Sequence, residues 1–204
     1  MKKLFSLALT FMMFFGLVAC ANNDSEENST SSEPEATMDS EALIVYFSWS
    51  GNTESVANEI AHQTGADIFE IIPEESYTDD YDALLDIAQE EQANNARPEI
   101  AETVEDFEQY DVVYLGYPNW WGDMPMIVYT FLDDYDFSEK TIAPFVTSGG
   151  SGFSGTISTI ESMEPDAVVV EGLSLGSSEA SEPADAVSEW LSSMGQNNVV
   201  LKKG

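Results

Sequence analysis

Apolar runs and helical periodicities alternate along most of the chain. Residues 42–47 form a continuous apolar run, which is typical of a strand covered on both faces. Apolar residues at helical spacing follow within residues 55–63, and Gly65 supplies a C-terminal stop for that helix. The same alternation continues to the end of the chain. It predicts strands at 42–47, 67–72, 111–117, 141–147 and 167–173, and helices at 55–63, 82–94, 125–132, 155–163 and 184–194.

This order of elements predicts an α/β domain with a doubly wound sheet of five parallel strands and helices on both faces. The connection from residue 73 to residue 110 is long and only partly helical, so we expect an irregular segment at 95–103. In open parallel sheets, ligands bind at the carboxyl ends of the strands, where the winding direction switches. The loops after the first, third and fourth strands are therefore the places to look for a site.

The first twenty residues have the pattern of an export signal. A short basic start, Met1 to Lys3, precedes an apolar run at 4–15 that is too short for a comfortable membrane span. The Leu-Val-Ala-Cys ending resembles the lipobox of bacterial lipoproteins, which implies that Cys20 is acylated and becomes the mature N-terminus. The alternative is an ordinary secretory signal with a coincidental cysteine. We expect a signal peptide at 1–19 and a lipid anchor at the extracytoplasmic face of the cell membrane.

A polar segment follows the cysteine. Residues 21–41 carry seven acidic side chains, no basic one and almost nothing apolar, so they cannot bury enough surface to fold. We therefore expect a disordered acidic tether at 20–41 and a folded domain at 42–204.

Charge and composition exclude several functions. The 204 residues include 38 acidic and 6 basic side chains, for a net charge of −32, and such a surface repels nucleic acid. The single cysteine rules out an intrachain disulfide, and one cysteine with one histidine leaves no Cys/His zinc cluster. The single histidine also leaves little for a Ser-His-Asp hydrolase. We expect no metal site and no catalytic side chain, and chemistry supplied by a cofactor that backbone, hydroxyl, amide and aromatic groups hold.

The loop at 48–53, Ser-Trp-Ser-Gly-Asn-Thr, joins the first strand to the first helix. Free N–H groups and the positive end of the helix dipole make such a place an anion site without any cation. It contains neither the Gly-x-x-x-x-Gly-Lys of a P-loop nor the Gly-x-Gly-x-x-Gly of a dinucleotide fold. The alternative is a polar turn that only caps the helix.

Two further loops follow the third and fourth strands. In the loop at 117–125, Trp120 and Trp121 are adjacent and cannot both point into one core, so at least one is expected at a surface or a flat aromatic ligand. The alternative is that both cap the edge of the sheet. The loop at 147–153 is rich in glycine, which lets backbone approach a planar ligand closely. Taken alone, it could equally be a flexible loop.

From about Ala42 to its end, the chain resembles the short-chain flavodoxins. The resemblance rests on the loop at 48–53, on Gly-Tyr-Pro-Asn-Trp-Trp at 116–121 and on Thr-Ser-Gly-Gly at 147–150, and a related bacterial branch shares Arg-Pro-Glu-Ile at 97–100. The fifth strand, predicted as uninterrupted, lacks the long insertion of long-chain flavodoxins. The resemblance implies non-covalently bound FMN. It assigns the phosphate to Ser48, Ser50, Gly51, Asn52 and Thr53, with Trp49 in the same loop. It assigns the borders of the isoalloxazine to Pro118, Asn119, Trp120, Trp121 and Gly122 on one side and to Thr147, Ser148, Gly149, Gly150, Ser151 and Gly152 on the other.

The main functional hypothesis is an FMN-dependent electron carrier on the outer face of the membrane, with a basic or membrane-bound redox partner. One alternative is an FMN-dependent NAD(P)H oxidoreductase acting on quinones or other small acceptors, and another is a flavin-free binding lipoprotein. The acidic surface predicts a low potential for the final reduction step. Among the remaining residues, His62 is expected at the surface, Trp190 in the core, and Arg97 in an ion pair rather than at the cofactor.

Overall fold

The computed structural model describes residues 41–197. The predicted signal peptide, the acylated Cys20 and the tether up to residue 40 lie outside the described residues. Within the described part of the chain, no helix is long and apolar enough to cross a membrane.

The centre of the domain is a parallel sheet in which the first strand lies between the second and the third. The spatial order is β2-β1-β3-β4-β5, every pairing is parallel, and β6 also pairs with β4. The strands are β1 (Ala42–Tyr46), β2 (Asp67–Glu70), β3 (Val112–Pro118), β4 (Thr141–Ser148), β5 (Val168–Val169) and β6 (Leu173–Gly176). The doubly wound architecture predicted from the sequence is confirmed.

Helices cover both faces of this sheet. They are α1 (Asn52–Thr64), α2 (Tyr81–Asn94), α3 (Met126–Asp134), α4 (Thr156–Met163), α5 (Ser177–Ala180) and α6 (Ala184–Asn197), and a 3-10 turn lies at Phe107–Gln109. Gly65 ends α1 in the left-handed conformation (φ 73°), as predicted, and the Asp80 carboxylate caps α2 by accepting a hydrogen bond from the Ala83 N–H at 2.9 Å. The short α5 and the 3-10 turn were not predicted.

Residues of β1 point alternately into two hydrophobic cores. Leu43 and Val45 pack in the core on the α3 side, whereas Ile44 and Tyr46 pack in the core formed with α1 and α6. This two-sided burial explains why the strand is a continuous apolar run. Trp190 of α6 is buried in the second core, as expected. The connection after α2 contains no helix or strand at 95–103 beyond a bridge between Ile100 and Pro73, which confirms the expected irregular segment.

The prediction of one uninterrupted strand at 167–173 is wrong. Two short strands, β5 and β6, share the position beside β4, and the register shifts by one residue between the pairs Ile142–Val169 and Phe145–Leu173. The Val170 N–H still donates to the Ile142 carbonyl at 3.0 Å. Two residues further along β4 is Pro144, which has no N–H to continue the ladder. The break spans only residues 170–172, so it is a bulge and not a long insertion.

Candidate functional site

A cleft of about 440 Å³ opens at the carboxyl ends of β1, β3 and β4. Its size lies within the range of small-molecule and cofactor sites. The cleft is lined by Trp49, Ser50, Asn52, Tyr81, Leu84, Leu85, Ala88, Pro118, Asn119, Trp120, Trp121, Thr147, Ser148, Gly149 and Ser177. All three loops singled out in the sequence therefore meet at one site. Seven of the predicted site residues lie in these loops but outside the lining: Ser48, Gly51, Thr53, Gly122, Gly150, Ser151 and Gly152.

The loop at 48–53 ends at the start of α1. Gly51 adopts a left-handed conformation (φ 83°) that a side chain would strain, and its carbonyl accepts the Ser55 N–H at 3.0 Å. The next three N–H groups, those of Asn52, Thr53 and Glu54, have no acceptor among residues 41–197. Free donors at the positive end of a helix dipole favour an anion, so the start of α1 is able to bind one.

Two hydroxyls of this loop have opposite surroundings. The Ser48 hydroxyl oxygen is buried and has no hydrogen-bond partner within the described residues. The Thr53 hydroxyl, also buried, lies 2.9 Å from the Thr147 hydroxyl and joins the first loop to the third. A buried polar atom without a partner is costly, so Ser48 is placed as a group that a ligand could satisfy.

The two adjacent tryptophans separate, as expected. Trp120 packs edge-on against Phe47 and Tyr77, with ring centroids 5.4 and 5.5 Å apart, and belongs to the margin of the core. Trp121 is 52% exposed at the cleft, and its indole N–H donates to the Leu85 carbonyl at 3.2 Å. Trp121 and Gly122 both have positive φ (54° and 82°), so they form the left-handed corner of a tight turn.

Asn119 fastens the second loop to the third. Its side-chain NH₂ donates to the Gly152 carbonyl at 2.7 Å and to the Ser154 hydroxyl at 3.1 Å, and its side-chain oxygen accepts the Gly122 N–H at 3.0 Å. The Ser148 hydroxyl accepts the N–H groups of Gly150 and Gly152 at 3.2 and 2.9 Å. Gly122, Gly150 and Gly152 therefore use their polar groups to hold the loops in place.

Among the described residues that line the cleft there is no carboxylate, histidine, lysine or arginine. Arg97 forms an ion pair with Asp133, as expected, and Lys140 is buried and donates to the Tyr110 carbonyl at 2.6 Å. The His62 side chain is 81% exposed, in agreement with its expected surface position. Residues 41–197 contain no cluster of His, Cys, Asp or Glu that could hold a metal ion. An anion in this cleft would be bound by neutral donors alone.

A tyrosine–glutamate pair supports the cleft from behind Trp120. The Tyr77 hydroxyl donates to the Glu91 carboxylate at 2.9 Å. Burial raises the pKa of the Glu91 carboxyl, and burial together with the Glu91 charge raises the pKa of Tyr77. Tyr77 therefore remains a hydrogen-bond donor at neutral pH.

One wall of the cleft was missed in the sequence. Tyr81, Leu84, Leu85 and Ala88 follow the i, i+3, i+4, i+7 spacing of one face of α2, and this face lines the cleft. The spacing is visible in the sequence. It predicts that this face of α2 is covered, but it does not show that a ligand cleft lies against it. Ser177, at the start of α5, was missed because that helix was not predicted.

A doubly wound α/β domain with a ligand cleft at its switch point is typical of proteins that bind nucleotide-like cofactors. The flavodoxin family model matches residues 41–194, and the chain belongs to the flavodoxin family. Among curated proteins, none matches this chain significantly.

Several solved structures are similar to this chain over most of their length. A candidate flavoprotein from Bacteroides eggerthii is 31% identical, with 73% of this chain and 98% of that chain covered and a TM-score of 0.62. A candidate flavoprotein from Bacteroides uniformis is 28% identical (75% and 98% covered, TM-score 0.68). A flavoprotein from Lactobacillus acidophilus, solved in complex with FMN, is also 28% identical (70% and 97% covered, TM-score 0.59).

Proposed function

We propose that this protein is an FMN-binding electron-transfer protein, attached to the outer face of the cell membrane through an acylated Cys20. The observation that carries the proposal is the cleft at the ends of β1, β3 and β4, which joins free helix N–H groups to aromatic side chains and, within residues 41–197, is lined by uncharged side chains. Family membership and the similarity to the Lactobacillus protein in complex with FMN support FMN as the ligand.

The phosphate of FMN suits the start of α1. There, the N–H groups of Asn52 and Thr53 and the hydroxyls of Ser48 and Ser50 would hold it without a cation. The aromatic and glycine-containing walls contributed by Pro118–Trp121 and by 147–149 suit the flat ring system.

When bound, FMN supplies the capacity to accept and release electrons. The chain itself binds and orients the cofactor and shields part of it from water. The strongly acidic surface of this chain attracts a basic partner protein, which fits a carrier that exchanges electrons with another protein. The carrier role is therefore preferred over the NAD(P)H oxidoreductase. Rapid NADH oxidation by the FMN-loaded protein would contradict this preference.

A pair of matched substitutions on α1 tests the phosphate assignment. Asn52→Asp places a negative charge at the start of the helix, and we expect the Kd for FMN to rise about tenfold or more through repulsion of the phosphate. Asn58→Asp makes the same chemical change at an exposed position of the same helix and should leave the Kd within about twofold, since the charge there is solvated. Equal effects of both substitutions on the Kd would contradict the assignment.

Membrane attachment is tested separately. Cys20→Ala removes the acceptor of the acyl chains, and the protein should move from the membrane fraction to the soluble fraction of the cells that export it. Mass spectrometry of the wild-type N-terminus should find acylated Cys20. A wild-type chain that begins at Cys20 without acyl groups would contradict the lipoprotein proposal and leave the FMN proposal intact.

A further inference from the structure

The carbonyl group of Trp120 holds a strained part of the cleft in place. It precedes Trp121, whose positive φ of 54° is uncommon for a large side chain. The carbonyl accepts the Asp123 N–H at 3.0 Å, and the Trp120 N–H donates to the Asp123 carbonyl at 2.8 Å. These two bonds close the turn on itself but do not fix its orientation relative to the rest of the cleft.

Two further hydrogen bonds tie this turn to α2. The Gln92 side-chain NH₂ donates to the Trp120 carbonyl at 2.7 Å, and the Trp121 indole N–H donates to the Leu85 carbonyl at 3.2 Å. Leu85 and Gln92 are seven residues apart, which is two helical turns or roughly 10 Å along the helix. A turn held at two such separate points cannot pivot about either one.

We infer that Gln92 is a positioning residue for the cofactor cleft. Gln92 does not line the cleft, but it fixes the peptide group between Trp120 and Trp121. In this way it holds the wall formed by α2 against the loop at 117–125. The inference rests on the proposed function, because the ligand whose binding it affects is FMN. Nothing in the sequence pattern marks Gln92, which is one of several polar residues on α2.

The test compares two glutamines of the same helix in the full chain. Gln92→Leu keeps the size of the side chain but removes the donor, and we expect the Kd for FMN to rise about three- to tenfold, the effect of one lost hydrogen bond. Gln89→Leu makes the same change at an exposed position one turn earlier and should leave the Kd within about twofold. Gln92→Lys restores an N–H donor of similar reach. Gln89→Lys adds the same charge while Gln92 stays in place, so it measures the effect of that charge on the Kd. After this effect is subtracted, the Kd of Gln92→Lys should lie within about twofold of the wild-type Kd.

A second readout does not depend on FMN. In the ligand-free protein, Gln92→Leu should speed amide hydrogen exchange at Gly122 and Asp123, whose N–H groups are bonded within the turn, and leave exchange in β3 unchanged. If wild type binds no FMN, the proposed function fails while faster exchange still supports the positioning role. Unchanged amide exchange in Gln92→Leu overturns the inference. Equal weakening of FMN binding by Gln89→Leu and Gln92→Leu also overturns it. So does a failure of Gln92→Lys to recover the affinity for FMN.

Discussion

At the scale of single residues, two hydroxyl groups of the first loop differ in whether the fold supplies their hydrogen-bond partner. The Thr53 hydroxyl has a buried partner in Thr147, so it contributes to the folded state directly. The Ser48 hydroxyl is buried without a partner among the described residues, so it lowers the stability of the ligand-free protein. The two residues lie five positions apart and should respond oppositely to removal of the hydroxyl.

We expect Thr53→Val to lower the free energy of unfolding of the ligand-free protein by about 1–3 kcal/mol, because it leaves the Thr147 hydroxyl buried and unpaired. Ser48→Ala should leave the same quantity unchanged or slightly raised, yet weaken FMN binding. Urea denaturation without ligand and FMN titration measure the two effects. A large loss of stability in Ser48→Ala would show that its hydroxyl has a structural partner after all.

Glu164, directly after the end of α4, is a partly buried carboxyl. Burial, with further contributions from the nearby charges of Asp133 and Asp136, raises its pKa to about 7. A carboxyl whose pKa is higher in the folded than in the unfolded state stabilises the fold below its unfolded pKa, and that contribution is lost as the pH rises through about 7.

Glu164→Gln should therefore raise the free energy of unfolding at pH 8 relative to wild type. We expect a gain of about 1 kcal/mol, because Glu164 is partly exposed to solvent, which weakens the effect of its charge. The substitution should have little effect near pH 4. Glu161→Gln removes the same charge from an exposed position of the same helix and serves as the control. Thermal unfolding measured between pH 4 and pH 8 gives the comparison. Identical pH profiles for the two variants would mean that the pKa of Glu164 is not raised.

At the scale of elements, the sequence predicted those features that depend on local periodicity. The alternate burial of β1, the end of α1 at Gly65 and the position of α2 all follow from residues within the element itself. The break between β5 and β6 was not predicted in this way, because it involves contacts with the neighbouring strand, where Pro144 has no N–H to donate. In the site, the three loops were predicted from their positions after the strands. The wall formed by α2 and the role of Gln92 depend on which elements meet in space, and periodicity does not show that.

The bulge between β5 and β6 depends on Gly172. A Cβ atom at this position would lie 2.4 Å from the Phe153 ring and 2.7 Å from the Pro144 carbonyl oxygen. Gly172→Ala should therefore lower the free energy of unfolding by about 1–3 kcal/mol through overpacking. Gly155→Ala is the matched control, since a Cβ there meets no atom within 4 Å and the backbone φ of −94° suits alanine. Equal stability of the two variants in urea denaturation would contradict this account of the break.

At the scale of the whole molecule, a neutral cleft lies in a strongly acidic protein. The net charge is −32, and the two cationic side chains of the described residues, Arg97 and Lys140, are both engaged in contacts away from the cleft. The surrounding field disfavours any step that adds negative charge to the cleft. We expect the proposed redox partner to be basic and its association with this chain to weaken as salt is added.

The same field makes a prediction about the bound cofactor. The potential of the final reduction step of bound FMN should lie below that of free FMN, and it should rise with ionic strength as the carboxylates are screened. Redox titrations at low and high salt measure both effects. A potential above that of free FMN that does not respond to salt would contradict the prediction.

The central claim is that a flavin phosphate is held at the start of α1 by neutral donors. The most direct measurement is a fluorescence titration of the purified protein with FMN and, separately, with riboflavin, which lacks the phosphate. We expect one FMN bound per chain, with an affinity at least about tenfold higher than that for riboflavin. A protein that binds neither flavin, or both with equal affinity, would contradict it.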